Sequence, residues 1–425
     1  MARLIYSLLF YVFSPFMVLR LFWRSRKAPD YRKRIGERFG FSSITAKPNT
    51  VLIHCVSVGE TLAAAPLIEA LLAHKPDHRL VLTSTTPTGS AQVKRLFGDR
   101  VSHCYLPYDL PDAVARFMRR IQPSMAIFIE TEVWPNMIHY CQQQNIPTAL
   151  VNARMSEKSF LGYIKLHWLS LPMFAGLNLI TAQHQSDAKF LAALGAKNIV
   201  VSGSLKNDFV IRDAMRDQAS KLKAQWQQIL GDDLVCIIAA STHAGEDQLI
   251  LDSFAQINTQ HPNTLLILVP RHPERFKSVS DLSIKAGFNT QKRTDKTLDA
   301  NTQVLIGDTM GELQMLFGTA DIAIMGGTFI ENGGHNFLEP AAWGIPIISG
   351  QSVFNFAAIS EALKANQGLV TVPSTEALNQ EIQRLLDDSA LRAHRGQAAQ
   401  YYVEQNRGAV KRNLEQLNTL FNQST

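Results

Sequence analysis

The chain has 425 residues, of which 46% are apolar and 18% are charged. This composition excludes a disordered chain, and the length suits two domains, each with its own core. The four cysteines are scattered and form no CxxC pair, which argues against a zinc site or a disulfide framework and is typical of a reducing compartment. Residues 20–38 hold eight basic and two acidic residues, which accounts for the whole formal net charge of +6. Because the rest of the chain is neutral, we expect no nucleic-acid partner.

An apolar run at residues 4–19 precedes these charges. We predict that residues 1–27 form a membrane anchor with a basic collar. The run is marginal for a spanning helix of about 20 residues, so it either spans the membrane or lies in its interface. By the positive-inside rule, the cations after the run place the rest of the chain on the cytoplasmic face of the inner membrane and attract anionic headgroups; they are Arg24, Arg26 and Lys27. A helix packed on the protein itself is the alternative.

From residue 51 onwards, short β-branched runs alternate with helical segments, a pattern typical of parallel sheets covered by helices on both faces. The predicted strands of a first series are 51–58, 79–85, 125–130, 147–152, 179–182 and 199–203. Those of a second series are 234–240, 265–270, 303–306, 322–325, 346–348 and 369–372. We predict an α/β protein with two Rossmann-like, doubly wound domains, 28–205 and 206–425, that face a central cleft. Residues 390–421 predict two helices, one of which is a candidate to cross back to the first domain.

Three acids follow predicted strands of the first domain. Glu60, in HCVSVGET, is expected in the first turn of a helix, whose dipole favours the ionised carboxylate. At a cleft it is placed to take a proton from an attacking hydroxyl. Glu130 and Glu132, in IETEVWP, directly follow a buried strand. A structural role at a helix start is the alternative for all three, and spacing alone does not decide between the two interpretations.

Several further loops contain groups suited to an anion. Lys206, in GSLKND at the domain junction, is a candidate to contact a leaving phosphate or an anionic sugar group. Arg271 and His272 lie between two prolines in VPRHPER, and a rigidly held guanidinium suits phosphate recognition. The GDTMGEL motif predicts a strand–turn–helix unit with free backbone N–H groups; it contains Thr309, Met310 and Gly311. Taken singly, each loop is also explained as an ordinary turn or a solvated cation.

The Gly-rich stretch 325–341, MGGTFIENGGHNFLEPA, is the strongest single pattern. Gly333 and Gly334 allow the backbone to approach a ligand closely. A helix predicted to start near His335 offers its N-terminus to a phosphate, and Glu339, about one turn inside, is placed to accept hydrogen bonds from ribose hydroxyls. A Gly-rich loop without a ligand is the alternative. The chain has no GxGxxG, GxxxxGK[ST], HExxH or DxD motif, so hydride transfer, NTP hydrolysis and a bound metal or other cofactor have no support.

Seven ordered motifs resemble those of the 3-deoxy-D-manno-octulosonic acid (Kdo) transferases of lipid A biosynthesis; they are HCVSVGE, FIETEVWP, GSLKND, AASTHAGE, PRHPERF, GDTMGEL and GGHNFLEPA. The resemblance runs from the anchor to the end of the chain. It implies a GT-B fold, an acceptor-side N-terminal domain and a nucleotide-sugar-binding C-terminal domain. The implied reaction is a metal-independent, inverting transfer of Kdo from CMP-Kdo to the lipid A precursor, lipid IVA, in lipopolysaccharide synthesis.

The resemblance also implies roles for individual residues. Glu60 corresponds to the general base, and Glu130 and Lys206 correspond to residues that support the transition state. The residues that it assigns to the cytidine nucleotide are Arg271, His272, Thr309, Met310, Gly311, Gly334, His335, Asn336 and Glu339.

Two other functions remain open on the sequence alone. The first is a related nucleotide-sugar enzyme of the same fold, either a transferase with another donor or an epimerase. An epimerase would need neither an apolar anchor nor the Gly59-Glu60 base. The second is a non-catalytic, membrane-tethered nucleotide-sugar-binding protein, which would tolerate the loss of Glu60.

Overall fold

A computed structural model describes residues 2–26, 28–208, 211–295 and 297–422. Lys27, a cation of the predicted collar, lies outside the described residues. The chain divides into two compact units, Met1–Asp208 with Arg407–Thr425, and Phe209–Asn406. The domain boundary predicted at 205/206 therefore moves to 208/209, and the end of the chain groups with the first unit, because residues 206–208 and the last helix make their contacts there.

The first unit is built on a seven-stranded parallel sheet in the order β3-β2-β1-β4-β5-β6-β7. Its strands are β1 Thr50–His54, β2 Arg79–Ser84, β3 Ser102–Tyr105, β4 Met125–Ile129, β5 Thr148–Ala153, β6 Leu179–Ala182 and β7 Ile199–Val201. Its helices, up to the junction, are α1 Ala2–Arg24, α2 Val58–His74, α3 Pro87–Phe97, α4 Pro111–Ile121, α5 Pro135–Gln143, α6 Glu157–Lys165, α7 His167–Ala175 and α8 Gln185–Ala193.

The centre of this sheet is a pair of fully buried strands. β1 (TVLIH) and β4 (MAIFI) are mostly apolar along their whole length, as expected of parallel strands covered on both faces. They pair in parallel, with Val51 opposite Met125 and His54 opposite Phe128. The strand order reverses between them, which makes the carboxyl ends of β1 and β4 the topological switch point, where open α/β sheets bind ligands.

The second unit repeats this architecture with the order β10-β11-β9-β8-β12-β13-β14. Its strands are β8 Val235–Thr242, β9 Thr264–Pro270, β10 Thr290–Lys292, β11 Val304–Ile306, β12 Ile322–Met325, β13 Ile347–Ser349 and β14 Leu369–Thr371. Its helices are α9 Asp213–Leu230, α10 Glu246–Gln260, α11 Phe276–Lys285, α12 Leu313–Phe317, α13 Leu338–Trp343, α14 Ala357–Ala365, α15 Thr375–Asp387 and α16 Ser389–Gln405. Its switch point lies between β8 and β12, which pair in parallel.

The last helix, α17 Ala409–Asn422, belongs to the first unit. The Asp208 carboxylate accepts the backbone N–H groups of Gly408, Ala409 and Val410, at the helix N-terminus where negative charge is favoured. Leu417 of α17 is fully buried in the same core as Leu67 of α2. The helix predicted to cross back is therefore fixed by one carboxylate and an apolar face.

The predicted strands all occur, with ends that differ by up to four residues. The sequence patterns miss β3 (SHCY) and β10 (TQK), because these short strands are largely polar. Both lie at a sheet edge, where polar side chains are common and alternation is weak. The two Rossmann-like α/β units are confirmed, whereas the cleft between them stays a prediction.

Helix α1 is long and apolar enough to cross a membrane, with a mean hydropathy of 1.8. One side of it is tied to the first unit by polar contacts. Arg3 donates to the Asn136 side chain (3.0 Å), Ser7 lies 3.2 Å from the same Asn136 oxygen, and the Tyr11 hydroxyl donates to Asp112 (2.5 Å). Its other residues leave a long apolar face exposed, which includes Leu8 and Phe16 at 65% and 64%.

Candidate active site

Glu60 lies at the carboxyl end of β1, at the switch point of the first sheet. It occupies the first turn of α2, whose N-cap is Ser57. The Ser57 hydroxyl accepts the Glu60 N–H (3.5 Å), and the Glu60 carboxylate accepts the backbone N–H of Val56 (2.7 Å) and the Ser57 hydroxyl (3.3 Å). This resembles a capping box, because side chain and backbone exchange hydrogen bonds across the helix start. The expected helix-start position is confirmed, and the carboxylate is held in one orientation.

The environment of Glu60 tunes its carboxyl group toward proton transfer. Partial burial, helped by the charges of Glu130 and Glu132 and opposed by the Val56 N–H, raises the pKa of Glu60 to about 7. A general base is most effective when its pKa lies near the working pH. An ordinary solvated glutamate at a helix start would titrate far lower, so the side chain is suited to accept a proton near neutrality.

Glu130 follows β4 immediately and pairs with Lys206, with 3.1 Å between Oε1 and Nζ. Its backbone has φ 62°, in the left-handed region that non-glycine residues rarely adopt. Such conformations cluster at functional sites, because they cost stability and the surroundings must hold them. The structure therefore brings together Lys206 and Glu130, which are 76 positions apart in the chain, and Glu130 acts on Glu60 electrostatically.

Neither Glu130 nor Glu132 caps the helix that follows them. That role belongs to Asp109, whose carboxylate accepts the backbone N–H groups of Asn136 (2.8 Å) and Met137 (2.9 Å) in the first turn of α5. Burial raises the pKa of Glu132, and the charge of Glu130 adds to the effect. The capping interpretation of the two acids is wrong; Glu130 pairs with Lys206 instead, and the charges of both acids raise the pKa of Glu60.

In the second unit, the Gly-rich loop after β12 is organised by a residue that sequence reasoning did not single out. Glu246, fully buried at the start of α10, accepts the backbone N–H groups of Gly327 (2.7 Å), Thr328 (3.1 Å) and Phe329 (3.0 Å). It also accepts the N–H of His243 (2.9 Å). One carboxylate therefore joins the loops after β8 and β12 at the switch point. The signal in the sequence was an acid after a strand in THAGE, matching the Gly59-Glu60 pattern.

These two loops bring histidines together. The His243 and His335 rings stack with centroids 5.1 Å apart and Nε2 atoms 2.9 Å apart, and the Asn332 amide lies 3.0 Å from His243 Nε2. His272 meets the His243 ring edge to face at 5.5 Å. Burial, together with the nearby charges of His243, Arg271 and His272, lowers the pKa of His335 to about 4. His335 is therefore neutral at pH 7.

Arg271 and Glu339 complete this group. Arg271 is exposed after β9, and its backbone N–H donates to Thr242 (3.0 Å). Burial raises the pKa of Glu339, whereas the Asn336 amide (3.2 Å) and Arg271 lower it. The predicted residues Arg271, His272, His335, Asn336 and Glu339 thus lie in one neighbourhood, with an arginine for phosphate and a carboxylate for hydroxyl groups.

Two details of the Gly-rich loop differ from prediction. α13 begins at Leu338, three residues after the predicted helix start at His335, and it is only six residues long. The segment before it is held as a loop by the N–H of Gly334 donating to Gly327 (2.8 Å). Gly333 and Gly334 have φ of 82° and 76°, and a Cβ at Gly333 would lie 2.5 Å from the Asn355 side chain. The left-handed backbone at both positions favours glycine whether or not a ligand approaches.

The GDTMGEL loop follows β11, which pairs in parallel with β9. The Thr309 hydroxyl donates to Glu312 (2.6 Å), which also pairs with Arg293 (3.3 Å). Met310 is 67% exposed, and a Cβ on Gly311 would meet nothing within 4 Å. Within the described residues, no hydrogen bond joins this loop to the histidine group. The predicted roles of Thr309, Met310 and Gly311 toward a nucleotide stay predictions.

The described part of the chain contains no group of three or more His, Cys, Asp or Glu side chains placed to hold a metal ion. All four cysteines are buried free thiols. Metal independence of the reaction stays a prediction.

Comparison with known proteins decides the family. Residues 33–209 match the model of the 3-deoxy-D-manno-octulosonic-acid transferase (kdotransferase) family, and residues 220–401 match glycosyl transferases group 1. The chain is 40% identical to the 3-deoxy-D-manno-octulosonic acid transferase of Haemophilus influenzae, over 98% of each chain. The chain belongs to the Kdo transferase family.

A second member of the Kdo transferase family, from Bordetella pertussis, is 33% identical over 98% of this chain and 99% of its own. Among solved structures, UDP-GlcNAc 2-epimerase from Neisseria meningitidis bound to UDP-GlcNAc matches 87% of this chain and 100% of its own, with a TM-score of 0.56 and 14% identity. That likeness concerns the GT-B-like fold alone. This Kdo transferase family member is a glycosyltransferase with an N-terminal apolar helix typical of membrane association.

Proposed function

We propose that this glycosyltransferase moves Kdo from CMP-Kdo onto a phosphorylated lipid A precursor, with inversion at the anomeric carbon. The observation that carries the proposal is Glu60, a fixed carboxylate whose pKa is raised to about 7 by burial at the switch point of the first sheet. The printed names of the relatives supply the transferred sugar, since both are 3-deoxy-D-manno-octulosonic acid transferases.

In the proposed step, an acceptor hydroxyl gives its proton to Glu60 while its oxygen bonds to the anomeric carbon of Kdo. The bond between that carbon and the phosphate oxygen breaks, and its electron pair leaves with CMP. A base near its pKa contributes roughly 10² to 10⁴ in rate. The Glu130–Lys206 pair keeps one negative and one positive charge beside this centre, where an oxocarbenium-like carbon and an anionic sugar both need compensation.

We assign the departing CMP to the second unit. Arg271 supplies a charge-assisted hydrogen-bond donor for the phosphate, and the neutral His335 becomes a better proton acceptor when an anion binds beside it. Glu339, whose pKa is raised by burial, is suited to accept hydrogen bonds from ribose hydroxyls. Glu246 acts as a positioning residue, since it holds the loop that carries His335.

We further propose that the first unit lies on the cytoplasmic face of the inner membrane, with α1 in the membrane interface. Arg3, Ser7 and Tyr11 bind the folded unit through hydrogen bonds that would be costly to place in hydrocarbon. A second apolar surface supports this placement. The start of α1 lies beside Leu169 and Met173 of α7 around a small cavity. Large apolar side chains are exposed on α6, on α7 and at the residue between them; they are Leu161, Ile164, Leu166, Trp168 and Leu171.

The experiment is incubation of the purified full-length chain with CMP-Kdo and phosphorylated lipid A precursor in detergent micelles, followed by mass spectrometry of the lipid. We expect the lipid to gain Kdo and CMP to be released in equal amounts. Matched reactions replace CMP-Kdo by UDP-GlcNAc, or omit the lipid. Kdo released only to water, or equal use of UDP-GlcNAc, would show that the proposed reaction is wrong.

A further inference from the structure

The first unit contains a cavity of about 350 Å³ between α1, the segment that follows it and the carboxyl edge of the sheet. Its lining includes three cations, Arg20, Arg24 and Arg38, and several apolar side chains, among them Phe10, Met17 and Leu21 of α1. A volume of this order suits a small-molecule group, and the mixed lining suits an amphiphile with an anionic head.

Arg38 is the least ordinary member of this lining. It is only 3% exposed, and its Nη2 donates to the Thr85 carbonyl (3.0 Å) while its guanidinium lies 4.3 Å from the Tyr105 ring centroid. Its Nε is buried without a hydrogen-bond partner. No carboxylate of the described residues lies within 4 Å of the charged groups of Arg38, Arg24 or Arg20. A buried guanidinium without a counter-charge is costly, and a bound anion would remove that cost.

A second donor in the same wall also lacks a partner. The indole Nε1–H of Trp134 is buried and donates to no acceptor among the described residues, and Trp134 lines the cavity. Two carboxylates reach the lining as well. Asp109 is engaged by the N-terminus of α5, and burial holds the pKa values of both Asp109 and Glu132 above their usual range. Three arginines outnumber these two carboxylates, so the charge of the lining is positive, and Arg38 Nε and Trp134 Nε1 are buried donors without a partner.

The cavity also adjoins the base. Val56 lines the cavity, and its backbone N–H donates to the Glu60 carboxylate (2.7 Å). Glu132, another lining residue, raises the pKa of Glu60 through its charge. The other groups of a ligand held by the arginines would consequently lie near the Glu60 carboxylate.

We propose that this cavity is a phosphate-binding site in which Arg20, Arg24 and Arg38 hold a phosphomonoester of the lipid acceptor, while its acyl part lies along α1. The assignment to the acceptor rests on the proposed function; the preference for a phosphomonoester rests on the cavity alone. The two can fail separately, because binding is measurable without turnover.

The test compares the full-length wild type with the double variant Arg20→Gln/Arg24→Gln in micelles of a neutral detergent, so that attraction to anionic membranes plays no part. Both side chains are exposed on α1, so the variant folds even if Arg38→Gln does not. Arg119→Gln is the control, since Arg119 is exposed on α4, carries the same charge and does not line the cavity. The probes are the phosphorylated lipid A precursor and the same lipid after removal of its phosphates.

We expect the dissociation constant and the acceptor KM for the phosphorylated lipid to rise at least tenfold in the double variant, with little change for the dephosphorylated lipid, for CMP-Kdo or in Arg119→Gln. Equal losses with both lipids, no loss, or a loss matched by Arg119→Gln would overturn the site. If phosphatidylglycerol displaced the bound phosphorylated lipid as readily as free acceptor does, the cavity would bind membrane lipids in general, and its assignment to the acceptor would be wrong. Arginine-dependent binding by a wild type that transfers no Kdo would uphold the site and reject the proposed function.

Discussion

Glu130 Oε1 lies 3.1 Å from Lys206 Nζ, although 76 positions separate the two residues in the sequence. Glu130 is held in the left-handed region at φ 62°, and Lys206 lies in a short 3-10 turn after β7, Leu205–Asn207. The lysine is 44% exposed, so the pair is not a structural ion pair of the core. Its consequence is electrostatic: we expect the Lys206 charge to offset the effect of the Glu130 charge on the pKa of Glu60.

Substitutions of this pair should move the pH dependence of transfer in opposite directions. Lys206→Met leaves the Glu130 charge uncompensated, which raises the pKa of Glu60 and shifts the acid limb of the kcat profile to higher pH. Glu130→Gln removes a charge that raises this pKa, so the limb shifts to lower pH. Lys206→Arg keeps the charge and should keep the wild-type limb. Parallel shifts in the two variants, or none, would contradict this relationship.

Glu60→Gln should abolish transfer while the protein folds and binds CMP as before. We expect turnover to fall by roughly 10² to 10⁴, the usual contribution of a positioned base. The wild-type rate should rise with pH through about 7, since the ionised carboxylate is the active form. The measurements are initial rates from pH 5 to 9 and CMP binding by calorimetry. Near-normal turnover by Glu60→Gln would mean that another group accepts the proton.

The same pKa predicts an effect on stability. The folded-state pKa of Glu60, about 7, lies above its ordinary value of 4.5, so folding favours the protonated form. The stabilising contribution of that form is complete below pH 4.5 and is lost as the pH rises through 7. Glutamine cannot ionise, so the Tm of Glu60→Gln relative to wild type should increase from pH 5 to pH 8. A Tm difference that is constant over this range would contradict the raised pKa.

The exposed apolar residues of α7 predict how the first unit meets the membrane. Trp168→Ser/Leu171→Ser should weaken binding to phosphatidylglycerol vesicles by about tenfold or more, because each buried large apolar side chain contributes roughly 1.5 to 3 kcal/mol. Vesicle sedimentation at fixed salt measures the effect. Ile229→Ser, at a similarly exposed apolar position on α9 of the second unit, is the control and should bind as wild type. Unchanged sedimentation of the double variant would restrict membrane contact to α1.

Much of this arrangement could be predicted from the sequence, because apolar strands followed by acids mark the carboxyl edge of a parallel sheet. Glu60 and Glu130 were found in this way. Lys206 was also a candidate, but its ion pair with Glu130 was not predicted, since the pair depends on the left-handed backbone of Glu130 and on the position of β7 in the sheet. The helix start near His335 was misplaced because the two glycines hold a longer loop than their spacing suggests.

Asp109 and Glu246 could not be assigned from the sequence for a related reason. Each is an acid whose partners are backbone N–H groups of a distant segment, and backbone amides leave no residue-type signal. Motif spacing therefore identifies side chains that contact a ligand, but it rarely identifies side chains that hold another loop in place.

Glu246 consequently supplies the sharpest test of the second unit. Glu246→Gln retains the shape of the side chain but replaces one acceptor oxygen by an NH₂ group. That donor then faces the backbone N–H groups of Gly327, Thr328 or Phe329, which are donors as well. Loss of charge-assisted hydrogen bonds at a fully buried site should cost about 3 kcal/mol of unfolding free energy.

Because the loop carries His335, CMP affinity should fall by at least tenfold, while vesicle binding through the first unit stays unchanged. Urea unfolding and calorimetric titration with CMP measure the two effects. Glu331→Gln, an exposed acid in the same loop, should alter neither by more than twofold. A Glu246→Gln protein that is destabilised but binds CMP normally would separate the loop's stability from its role in the nucleotide site, and Glu246 would then be a purely structural residue.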